Sequence, residues 1–81
     1  MTIDFDIEIK PSKHFRNTWM RKWDYDTNEL RMALKEAYKI EKVGKIKYEA
    51  YTRHGAHGKS RKIIFVVYLT EIFIITGAEG T

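Results

Sequence analysis

Arg61-Lys62-Ile63-Ile64-Phe65-Val66-Val67-Tyr68, then Leu69-Thr70-Glu71, then Ile72-Phe73-Ile74-Ile75-Thr76, is the stretch that decides the fold. Both outer runs have the length of strands and are rich in β-branched and aromatic residues. The three residues between them are enough to reverse the chain, so the pair reads as an antiparallel hairpin. Ile63 to Tyr68, almost without polar residues, reads as a central strand covered on both faces. Upstream, Ile46, Tyr48, Ala50 and Thr52 alternate with Lys45, Lys47, Glu49, Tyr51 and Arg53, which predicts a further strand with one face inward and a mostly basic row outward. These three strands form a meander. Gly77 to Thr81 reads as a small-residue tail that frays.

Near the N-terminus, Ile3, Phe5, Ile7 and Ile9 alternate with Asp4, Asp6, Glu8 and Lys10, a half-buried strand that Pro11 ends. Ser12 then offers a hydroxyl to cap a helix over Lys13 to Trp23, on which Phe15, Trp19 and Trp23 form one aromatic stripe. His14, Asn17 and Arg21 share the opposite, exposed face. Asp26 with Glu29 three residues later has the capping-box spacing and starts a second helix. Its face of Leu30, Ala33, Leu34, Ala37 and Tyr38, with Ile40 at the edge, packs inward, Arg31, Lys35 and Lys39 lie outward, and it gives out near Val43-Gly44. The expected architecture is α+β: strand-helix-helix-strand-strand-strand, an antiparallel sheet with two helices packed on one face and its other face only partly covered. Residues 1–81 read as a single domain.

The chain has 81 residues, is 43% apolar and contains no cysteine, so neither disulfides nor thiolate metal cages supplement its core. No apolar run approaches the length that crosses a bilayer, and no basic and apolar leader is visible, so a cytoplasmic protein without membrane contact is expected. The net charge is +4. With Asp4, Asp6 and Glu8 set aside, the 15 Lys and Arg face 8 acids, a net +7 over residues 10–81, which suits an anionic polymer as well as plain solubility.

Arg53-His54-Gly55-Ala56-His57-Gly58-Lys59-Ser60-Arg61-Lys62 joins two of the strands and carries four permanent cations, two imidazoles and no acid. Imidazoles beside guanidinium and ammonium groups have the chemistry to move protons near a phosphate. His54 and His57 are therefore the candidate base and acid, and Arg53 and Arg61 the groups that steady charge on the phosphorus. Lys45, Lys47, Lys59 and Lys62 are the candidate nucleic-acid contacts. The competing reading of the two histidines is a solvated pair with no task. Gly-Ala-His-Gly-Lys-Ser imitates a nucleotide phosphate loop, but only two residues separate its glycines and a strand follows, so no nucleotide cofactor is expected. A metal site at His54 and His57 lacks third and fourth ligands, and none is expected. Tyr48, Tyr51 and Tyr68 read as packing residues.

In this element order, with Lys13-His14-Phe15, Glu29-Leu30, Arg61 to Tyr68 and Glu71-Ile72-Phe73-Ile74-Ile75-Thr76, the chain resembles the RelE/ParE-like toxin superfamily over nearly its whole length. The resemblance implies an mRNA-cleaving toxin of a toxin-antitoxin pair, acting on RNA or ribosome-bound mRNA, with a protein antitoxin over its basic surface. Arg53, Arg61 and His54 or His57 match the basic and histidine positions of such toxins, while the late tyrosine many of them carry has no counterpart after Tyr68. The expected reaction is metal-independent attack of the ribose 2′-hydroxyl on the adjacent phosphate. The alternative is a non-catalytic nucleic-acid or protein-interaction module, including one that pairs with its own copy.

Overall fold

The computed structural model describes residues 3–53 and 60–79. Five strands form one sheet: β1 (Glu8–Pro11), β2 (Lys39–Lys42), β3 (Lys47–Arg53), β4 (Ser60–Val67) and β5 (Glu71–Glu79), in the order β1-β5-β4-β3-β2. The β2-β3-β4-β5 meander is antiparallel, whereas β1 joins β5 in parallel, so the sheet is mixed. That parallel join follows from the two helices: they carry the chain across the sheet between β1 and the meander, as a parallel crossover requires.

The first helix, α1, covers residues 13–23 as an α turn Lys13–Phe15, a π turn Arg16–Met20 and an α turn Arg21–Trp23. Ser12 starts it: its hydroxyl accepts from the Phe15 amide at 3.0 Å and donates to the Ile75 carbonyl at 2.7 Å, tying the helix to β5. Asp24, in the left-handed conformation at φ 56°, ends it. The second helix, α2 (Thr27–Lys35), begins at Asp26, whose carboxylate accepts from the Glu29 amide at 2.7 Å. Phe15, Met20 and Trp23 from α1 and Leu30 and Leu34 from α2 are buried against Ile9, Tyr48, Ala50, Ile63, Phe65, Ile72 and Ile74 of the sheet. The α+β class and the helices on one sheet face are as the sequence predicts.

Several boundaries differ. The first strand does not reach back to Ile3, because Asp4 accepts from the Asp6 amide at 2.9 Å and bends the chain. Ile3, Phe5 and Ile7 pack against the core all the same, and Phe5 meets Phe65 edge-on with ring centroids 6.0 Å apart. Lys35 donates to Asp6 at 2.6 Å and holds that carboxyl below its ordinary 3.8. The second helix stops at Lys35 rather than near Val43; residues 39–42 become edge strand β2, paired with β3 from Lys39–Tyr51 to Lys42–Tyr48. Gly77–Glu79 extend β5 rather than fraying. Ile63 and Phe65 are fully buried under the helices, but Ile64 and Val66 on the other face are half-buried and Tyr68 is exposed and lies beyond the strand, so β4 is covered on one face.

Candidate nucleic-acid interface

Two arginines stand at one end of the β3–β4 pair. Thr52 pairs with Arg61 and Arg53 with Ser60. Residues adjacent along a strand point to opposite faces, and Thr52 is buried on the helix side, so Arg61 faces the helices and Arg53 rises from the open face. The Arg61 guanidinium lies 4.9 Å from the Trp23 ring centroid and 5.5 Å from that of Tyr25, and donates to the Tyr25 hydroxyl at 3.2 Å. Two aromatic faces and one hydrogen bond hold its fork in place. Arg53 lies 5.1 Å over the Tyr38 ring, and the Tyr38 and Ser60 hydroxyls are 2.7 Å apart. The structure thus brings Arg53 and Arg61 to one end of the sheet but on different faces. His54, His57 and Lys59, which complete the expected constellation, lie outside the described residues.

Three lysines of the open face outside the expected basic row, Lys62, Lys39 and Lys10, lie beside glutamates. Lys62 is 4.0 Å from Glu49, which also accepts from the Tyr51 hydroxyl at 2.8 Å. Lys39 is 3.2 Å from Glu41 and 5.4 Å over the Tyr51 ring, and Lys10 lies between Glu8 and Glu71 at 3.6 and 3.7 Å. The Glu49 carboxylate raises the Tyr51 phenol above its ordinary 10.0, because losing the shared proton would leave two anions facing each other. Lys45 and Lys47 are exposed and form no ion pair among the described residues, but Lys47 opens β3 and Arg53 closes it, a separation of about 20 Å along the strand. The four lysines expected to bind nucleic acid therefore do not make one patch: Lys62 is paired, Lys45 and Lys47 are remote, and Lys59 is undescribed.

A cleft of about 480 Å³ opens at the end of the sheet, between α2 and the end of β3, lined among others by Tyr25, Asp26, Glu29, Met32, Tyr38 and Arg53. Asp26, Glu29 and Glu36 on its rim disfavour a polyanion. Tyr25, Tyr38 and Glu49, which position Arg61, Arg53 and Lys62, were not singled out by the sequence reading. Tyr25 lies in a break between helices, and Tyr38 falls in the helical period of Leu30 and Leu34, which marks it as a packing residue rather than as a partner for Arg53. Among the described residues no three His, Asp or Glu side chains converge as metal ligands, and no helix is long and apolar enough to cross a membrane.

Comparison with known protein families, curated proteins and solved structures returns no match for this chain.

Proposed function

We propose that this chain is an RNA-directed domain of the RelE/ParE-like toxin kind, which cleaves mRNA without a metal at the hairpin end of its sheet. The observation that carries the reading is the clamped guanidinium of Arg61. A cation fixed by Trp23, Tyr25 and the Tyr25 hydroxyl is preorganised, and preorganised charge lowers the cost of a phosphorane more than a mobile one does. Arg53 stands at the other end of the segment that carries His54, His57 and Lys59. In this reading one imidazole takes the 2′-hydroxyl proton, the other returns a proton to the departing 5′-oxygen, and a cyclic phosphate is left. A protein antitoxin would cover the same cations.

The test is incubation of the protein with RNA and a chelator, with and without ribosomes. The reading expects cleavage to products ending in cyclic phosphate, and loss of at least about a hundredfold in rate for the His54→Ala, His57→Ala double variant. Intact RNA in both preparations, or unchanged cleavage by the double variant, contradicts it. A second reading, binding without cleavage, is favoured by the placement of Arg53 and Arg61 on opposite sheet faces, and is the outcome if RNA is bound but stays intact.

A further inference from the structure

Apart from the exposed lysines of the β2–β3 turn, a strongly cationic surface with no acid of its own lies on α1. Residues 13–23 contain Lys13, His14, Arg16, Arg21 and Lys22 and no acid. All five are exposed. Lys22 is engaged, 3.4 Å from Glu79 and 5.4 Å over the Trp19 ring, but Lys13, Arg16 and Arg21 form no ion pair among the described residues. This contrasts with the open sheet face, where Lys10, Lys39 and Lys62 each lie beside a glutamate.

The π turn aligns the three. In an ordinary α helix, residues five apart point in well-separated directions; a π turn closes after five residues instead of four and brings them onto one side. Phe15 and Met20, five apart across Arg16–Met20, are indeed both buried on the core side. Arg16 and Arg21 each follow one of these by a single position, so the same shift places them together on the solvent side, with Lys13 one turn before Arg16. Trp23, at the C-terminal end of the same helix, turns to the core side, where the Arg61 guanidinium lies 4.9 Å from its ring centroid.

We infer that Lys13, Arg16 and Arg21 form a track for the phosphate backbone of single-stranded RNA along the solvent side of α1. The inference rests on the reading of RNA as the ligand and adds a contact surface outside the hairpin. An anionic bilayer is the less suitable partner: an interfacial helix inserts its apolar face, and here Phe15, Met20 and Trp23 are already buried against the sheet.

The probe is a fluorescein-labelled 2′-O-methyl oligouridylate, which lacks the hydroxyl needed for cleavage, so binding is read apart from chemistry. The triple variant Lys13→Ala, Arg16→Ala, Arg21→Ala is expected to weaken binding at low salt by about tenfold or more and to lower the log–log salt slope by about 2. Lys42→Ala, which removes one exposed charge from β2, is the control and is expected to change neither by as much as any single track substitution. Tryptophan fluorescence checks that the fold is intact. If the wild type binds this probe and the triple variant binds equally well, the track is wrong while the RNA reading stands. A wild type that binds only phosphatidylserine vesicles, or nothing, overturns both, as cleavage of ordinary RNA without binding by α1 overturns the track alone.

Discussion

At the scale of single residues, Gly77 shows how closely α1 and β5 meet. A methyl group there would lie 2.9 Å from the Trp23 ring, 3.1 Å from Phe15 and 3.2 Å from Trp19, and all three belong to packed rings that have little room to yield. Gly77→Ala is expected to destabilise the protein by about 1–3 kcal/mol, measured as a lower urea midpoint with unchanged slope. The sequence placed this glycine in a fraying tail, since small residues near an end look alike whether they are loose or are needed for close approach. Tyr51 offers a second test. Its pKa is raised by the bond it donates to Glu49, so that contribution to stability is present below the ordinary value of 10.0 and is lost as pH rises through the folded value. Glu49→Gln should bring the phenol titration, followed by ultraviolet absorbance, back down towards 10.0. An unchanged titration would mean the bond does not form in solution.

Among the elements, α1 was the most legible and β2 the least. Ser12 and the aromatic spacing mark α1, and Ser12→Ala is expected to cost about 2 kcal/mol in denaturant unfolding. That substitution removes both the cap on Phe15 and the bond to Ile75, and so exceeds a simple capping loss. The π turn was not legible, because Phe15, Trp19 and Trp23 already satisfy an ordinary α spacing and nothing but Met20 signals the extra residue. For β2, Ala37, Tyr38 and Ile40 continue the helical period of Leu30 and Leu34, so periodicity alone extends the helix. What overrides it is tertiary pairing: the Tyr38 amide donates to the Tyr51 carbonyl at 3.0 Å and all four β2 residues are exposed, so no alternation of buried and wet positions announces the strand.

For the whole molecule, the meander and the one-sided helical layer follow from the apolar runs, and their placement was readable because one face of each had to be buried. Charge was readable only as a total. Which cations remain available depends on cross-strand neighbours such as Glu49 beside Lys62, and register is not visible in one sequence. The consequence is a redistribution: the open sheet face carries near-balanced charge, the cleft beside α2 is acid-rimmed, and cations without an ion pair among the described residues lie on α1, at the β2–β3 turn and at Arg53. If RNA is held there through its phosphates, affinity for single-stranded RNA must fall steeply as salt rises, by about 0.7 in log–log slope for each phosphate contact. The measurement is RNA affinity by fluorescence anisotropy across a salt series. A slope corresponding to about 3 or more contacts is the predicted result, and a flat dependence, or no binding at low salt, would contradict the account.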